Sequence, residues 1–123
     1  MTALAGRSIL VVEDDYYRAH LVKRTLEAAG ATVLGPVPSA SAALHLLHDG
    51  RPDAAVLDVD LRDGLVFPVA DALASVGVPF LFTTGSDPRM RPVRHATAPW
   101  LVKPVEEAAT TRALEELLRV APP

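Results

Sequence analysis

Four short apolar runs in this chain each end on a group suited to holding or accepting a phosphate. Ile9-Leu10-Val11-Val12 runs into Glu13-Asp14, and Ala54-Ala55-Val56-Leu57 runs into Asp58. Val78-Pro79-Phe80-Leu81-Phe82 runs into Thr83-Thr84, and Trp100-Leu101-Val102 runs into Lys103. Gathered in one crevice, these carboxylates, hydroxyl and ammonium make a divalent-cation site beside an aspartate that can be phosphorylated. Magnesium takes oxygen ligands in near-octahedral geometry and keeps several waters, so one or two carboxylates plus a phosphate hold it. Asp14 and Asp58 can each give one oxygen, Glu13 can hold a water of the shell, and the carbonyl of Asp60 can supply a further ligand. Aspartate is a nucleophile able to form an acyl phosphate, which makes Asp58 the candidate acceptor. Phosphoryl transfer needs positioning and neutralisation of spread-out charge. The cation would neutralise one side and Lys103 the other, while Thr84 donates its hydroxyl to a phosphoryl oxygen.

Each group also has a plainer reading. Glu13-Asp14-Asp15 suits a helix N-terminus, Asp58 a loop or cap, Thr84 a turn, and Lys103-Pro104 a loop before a first-turn proline. None of these explains why all four fall at successive run ends in so short a chain.

For the groups to meet, the runs must be neighbouring parallel strands, because open α/β sheets bind ligands at the carboxyl ends of their strands. Helix-period segments do alternate with the runs, as β-α-β units require. Asp15 to Ala29 reads as a helix with Val22, Leu26 and Ala29 on one face and Gly30 as its stop. Ala31 to Leu34 reads as a strand ended by Gly35-Pro36. Ser39 or Ser41 caps the next helix, whose apolar face is Ala40, Ala43, Leu44 and Leu47. A third helix starts near Phe67-Pro68, with Val69, Leu73 and Val76 inward. Between Ser86 and Pro99, Asp87-Pro88 can start a helix that Pro92 interrupts, so a short or irregular fourth helix is expected. The last helix spans about Pro104 to Val120, with acids at its start and Arg119 at its end. Ala121-Pro122-Pro123 is expected to fray.

The 123 residues and 13.1 kDa fit a single domain over 1–123, and a half-hydrophobic composition supports one core. A net charge of −3 and a pI near 5.7 give no support for nucleic-acid binding. No apolar run approaches the length of a membrane span, and the N-terminus has no signal-peptide pattern. The absence of cysteine rules out disulfide and thiol chemistry and fits a cytoplasmic location.

At Ile9 to Asp15, Ala55 to Leu61, Val78 to Gly85 and Leu101 to Pro104, the chain resembles the receiver domain of two-component response regulators. The resemblance implies a (βα)5 flavodoxin-like doubly wound parallel sheet of strand order 2-1-3-4-5. It implies Glu13 and Asp14 as the acidic pair and Asp58 as acceptor from a histidine kinase or histidine phosphotransfer protein. It further implies Asp60 as a carbonyl ligand of Mg²⁺ (or Mn²⁺), Thr84 as switch hydroxyl and Lys103 as phosphate-binding lysine. Trp100 falls at the family's rotating aromatic position. Asp60 and Ser86, two residues beyond Asp58 and Thr84, fall where the family tunes loss of the phosphoryl group. Phe82-Thr83-Thr84-Gly85 resembles a subgroup of single-domain receivers carrying Phe-Ala-Thr-Gly, with Thr83 in place of Ala. Output is then expected through an unknown downstream protein, and Met1 and the proline-rich end are read as the ends of a whole, stand-alone chain.

Two readings of Trp100 stand: a partly exposed partner contact, or half-buried packing. Arg89, Arg91, Arg94 and His95 read as a solvated basic face, and His45 and His48 as solvent-facing histidines. The rival function is a small Mg-dependent haloacid-dehalogenase-like phosphohydrolase using Asp58 and Asp60. Its Asp-x-Asp usually ends the first strand, however, and it carries a longer core. A second rival is an interaction module that takes no phosphate, against which the intact set of site residues argues. A flavin-binding reading lacks a phosphate loop after the first strand.

Overall fold

The computed structural model describes residues 3–120. In chain order its elements are β1 (Ser8–Val12), α1 (Tyr16–Ala28), β2 (Thr32–Val37), α2 (Ala40–Leu47) and β3 (Ala54–Asp58). A small hairpin of β4 (Asp60–Leu61) and β5 (Gly64–Leu65) follows, then α3 (Phe67–Ser75), β6 (Phe80–Thr84), β7 (Trp100–Val102) and α4 (Glu107–Val120). The five longer-range strands form one parallel sheet in the order β2-β1-β3-β6-β7. Setting the hairpin aside, this is the expected 2-1-3-4-5 order of a doubly wound flavodoxin-like sheet.

Successive strand residues point to opposite faces, and both faces are covered, so the central strands are apolar throughout. Leu10, Val12, Ala55, Leu57, Phe80 and Phe82 pack on one face against Ala40 and Ala43 of α2 and Val69, Ala70 and Leu73 of α3. Ile9, Val11, Ala54, Val56 and Leu81 pack on the other against Leu26 of α1 and Leu114 and Leu118 of α4. Every residue of β3 and β6 is buried, which drives Asp58, Thr83 and Thr84 into the interior with their strands.

α1 matches its expected span, with Asp15 capping it by accepting from Arg18 N at 2.9 Å. Of the two serines, Ser39 caps α2, accepting from Ala42 N at 3.1 Å.

Three expectations are corrected. β2 does not stop at Leu34 but runs to Val37 through a shift in register opposite Leu10–Val12. It lies at the sheet edge, where a proline without an N–H is tolerated. Gly35, at φ +89°, makes the turn within it; a Cβ there would sit 2.7 Å from Val37 N and 3.0 Å from Val11 O. Val76 is 47% exposed, because α3 ends one residue earlier. α4 starts at Glu107, where the Glu106 carbonyl accepts from the N–H groups of Ala109 and Thr110. The short, irregular fourth helix expected between β6 and β7 is present as two 3₁₀ turns, Pro88–Met90 and Val93–His95. Asp87 caps the first, and Pro92, which lacks a donor to continue a helix, precedes the second. The Ala121-Pro122-Pro123 tail lies outside the described residues.

Candidate functional site

The parallel register brings the carboxyl ends of β1, β3, β6 and β7 together. Val12 pairs with Leu57, Asp58 with Thr83, and Thr84 with Val102. Lys103 N donates to Thr84 O at 2.7 Å, and Glu13 N to Val37 O at 3.0 Å, extending the ladders one residue into the site. Glu13, Asp14 and Asp58 each offer a carboxylate oxygen, all within 4.8 Å of one another. Glu13 and Asp58 are buried and Asp14 is half-buried. Three close oxygens of this kind suit a hard divalent cation, which accepts oxygen ligands and offsets their mutual repulsion.

Lys103 Nζ lies 3.0 Å from Asp58 Oδ1 and 3.5 Å from Glu13 Oε1. Glu13 is gripped further by Arg18 Nε at 3.3 Å and by the N–H of Asp15 at 3.1 Å. These contacts split the pair electrostatically. Burial pushes the Asp58 carboxyl up to about 7, helped by its hydrogen bond with Glu13 and that group's charge, against the pull of Lys103. Burial also pushes Glu13 up, but its hydrogen bond with Asp58, the Asp15 N–H, Lys103 and Arg18 together hold it below the ordinary carboxylate value. Below about pH 7, then, the pair retains a proton, and burial places it on Asp58 rather than on Glu13.

Thr84 is fully buried, and its Oγ1 accepts from Ser86 N at 2.9 Å. Ser86 is a junction. Its carbonyl accepts from Trp100 Nε1 at 3.2 Å, and its hydroxyl donates to Asp60 Oδ2 at 3.4 Å. Thr84, Asp60 and Trp100 thus connect through one residue. Trp100 is half-buried, its ring edge-on to Phe82 at 5.4 Å, which is compatible with both readings of it. Asp60 opens β4, and its carboxylate is exposed.

Sequence reasoning missed several residues. Arg18 joins the site as an ion-pair partner of Glu13, one helical turn past it. Thr83 lines a cleft of about 490 Å³ between α1 and α4 together with Glu13 and Lys103. The basic stretch is not simply a solvated face. His95 is buried, its Nε2 2.7 Å from Asp71 Oδ1 on α3, and its ring lies edge-on to Phe80 at 5.2 Å. Arg94 pairs with the same Asp71, Arg89 with Asp87, and Arg91 donates to Ala98 O. Alternation of charge signalled none of this, because Asp71 lies 24 residues from His95. His45 and His48 are exposed, as expected.

No family model and no curated protein matches the chain. Solved structures do. SdrG from Sphingomonas melonis Fr1 is 39% identical over 96% of this chain and 99% of its own, with a TM-score of 0.78. SdrG from Pseudomonas melonis Fr1 in its BeF3-activated conformation is 39% identical over 93% of this chain and 98% of its own, at 0.76. The non-phosphorylated HemR receiver domain from Leptospira biflexa is 30% identical over 95% of this chain and 98% of its own, at 0.81.

Proposed function

Since the chain belongs to the receiver domains of two-component response regulators, we propose that it accepts a phosphoryl group on Asp58 from a histidine kinase or histidine phosphotransfer protein and signals by contact with a downstream protein. The observation that carries this reading is the cluster of Glu13, Asp14 and Asp58 oxygens within 4.8 Å, with the Lys103 ammonium 3.0 Å from Asp58. Asp14, Asp58 and the Asp60 carbonyl would hold Mg²⁺ or Mn²⁺, with Glu13 on a water of its shell; bound there, the ion supplies neutralising charge for the incoming phosphoryl group.

Asp58, deprotonated, attacks the phosphorus of the donor's phosphohistidine; the O–P bond forms as the N–P bond breaks, and the imidazole leaves with a proton. Lys103 stays at the anionic side as a point charge. The Thr84 hydroxyl, whose oxygen already accepts from Ser86 N, keeps its proton to donate to a phosphoryl oxygen. A shift of Thr84 towards that oxygen pulls on Ser86, and so on Trp100 through the Ser86 carbonyl. That is how the switch would reach the surface, where Trp100 meets a partner. The likeness to SdrG, solved in a BeF3-activated conformation, supports an acceptor role, since a beryllofluoride group has the shape of a phosphoryl group. The Phe82-Thr83-Thr84-Gly85 run supports a place among single-domain receivers, working in the cytoplasm. Asp60 and Ser86, which touch at 3.4 Å, tune how long the acyl phosphate lasts.

The phosphohydrolase alternative gains no contact here, because the Asp60 carboxylate is engaged by Ser86. The test is incubation with acetyl phosphate and Mg²⁺, followed by intact mass. One phosphoryl group is expected on this protein and none on Asp58→Asn. Continuous turnover of p-nitrophenyl phosphate, or a phosphorylated Asp58→Asn protein, would overturn the proposal.

A further inference from the structure

The β4–β5 hairpin follows Asp58 directly and carries Asp60, yet its ladder is only two residue pairs long, Asp60 with Leu65 and Leu61 with Gly64. So short a hairpin does not hold its own position in water. Its base is closed by Val66 N donating to Val59 O at 3.0 Å, and Leu61 is buried in the core. The tip needs a separate anchor, and Asp63 provides one. Asp63 Oδ1 accepts from Ala40 N at 3.0 Å and Oδ2 from Ser41 N at 3.1 Å, across 23 and 22 residues. Both donors lie in the first turn of α2, where backbone N–H groups have no partner within the helix and a carboxylate is favoured. A two-point clamp fixes both the place and the tilt of the tip. α2 is itself immobilised through Ala40 and Ala43 in the core.

We propose that Asp63 is a positioning residue for the cation site: by clamping the hairpin tip to α2 it sets the backbone of Asp60, three residues away, relative to Asp58. This rests on the receiver reading, in which the Asp60 carbonyl is a ligand. It differs from a purely structural cap, because α2 already has a cap of its own in Ser39. The pair of caps makes the test specific: Ser39→Ala weakens α2 without touching the hairpin, whereas Asp63→Ala releases both.

Three measurements on the full chain decide it. Mg²⁺ affinity by calorimetry is expected to fall about tenfold in Asp63→Ala, the lower end of the scale for lost outer-shell support, and to stay at the parent value in Ser39→Ala, although both lower the melting temperature. Amide exchange across residues 60–65 of the metal-free protein is expected to speed up in Asp63→Ala only. Asp63→Asn, of the same size and keeping one acceptor, is expected to fall between parent and Asp63→Ala, and it stands in if the alanine variant does not fold. Unchanged Mg²⁺ affinity in the Asp63 variants, whatever their melting temperature, overturns the positioning role. A parent that binds Mg²⁺ yet takes no phosphoryl group overturns the acceptor reading alone, and one that binds no Mg²⁺ overturns both.

Discussion

Asp58 and Glu13 show how a buried carboxyl pair is set for its task before any ligand arrives. Asp58 is raised to about 7 chiefly by burial, so folding binds a proton there that the unfolded chain, with its ordinary carboxyl near 3.8, releases at lower pH. The stability this contributes is whole below about pH 3.8 and is lost as pH rises through about 7. Asp58→Asn, which mimics the protonated form, is therefore expected to be more stable than the parent in EDTA by about 4 kcal/mol at pH 8 and by only about 1–2 kcal/mol at pH 5. Urea melts at the two pH values check this, and an equal gap at both would refute it. Because a cation ligand must be deprotonated, Mg²⁺ affinity is also expected to climb with pH by up to about tenfold per unit below 7 and then level off. Calorimetry in buffers of different ionisation enthalpy reads the released proton. The positions of Glu13, Asp58 and Lys103 were legible in the sequence, since each ends an apolar run. The link that Ser86 makes between Thr84 and Trp100 was not, because those contacts run through its own backbone N–H and carbonyl, which any residue has.

Among the elements, the segment between β6 and β7 departs furthest from regular structure. With no α-helix to bury an apolar stripe there, His95 does the anchoring, buried against Phe80 and bonded to Asp71 on α3. His95→Ala removes that packing and leaves a void beside Phe82, for a cost of about 2–3 kcal/mol in urea denaturation. Arg94→Ala, which removes a solvent-exposed pair to the same Asp71, is expected to cost under about 1 kcal/mol. The single tryptophan reports on the same cluster through Phe82, which contacts both rings. Its emission should shift in His95→Ala and hold still in Arg94→Ala. Periodicity located α1 and α2 well, because their buried faces repeat at helical spacing. It failed at Val76, where a hydrophobic residue stands just past a helix end, and at β2, where proline at an edge strand breaks no needed hydrogen bond.

For the molecule as a whole, the parallel neighbourhood of four strands was readable because four polar groups had to meet at their ends, whereas the strand order came only from the family resemblance. The hairpin after β3 was not readable, since Asp60 to Leu65 has neither the length nor the alternation of a strand. Binding that favours the folded chain stabilises it by mass action, so Mg²⁺ at ten times its dissociation constant should add about 1.4 kcal/mol at neutral pH. Asp14→Ala should erase that gain while leaving the metal-free melt close to the parent; an equal Mg²⁺ effect in both would remove Asp14 from the ligand set.

The course of β2 bears on how copies of this chain treat one another. Its outer margin is a bare row of backbone groups, the kind of border on which a foreign strand can template itself into a growing fibre. Gly35 swerves that border, and Pro36 contributes no amide hydrogen to it. A strand laid alongside from another molecule would lose step halfway, so the kink that looks like a flaw in the ladder guards this border of the sheet against pairing with a second copy.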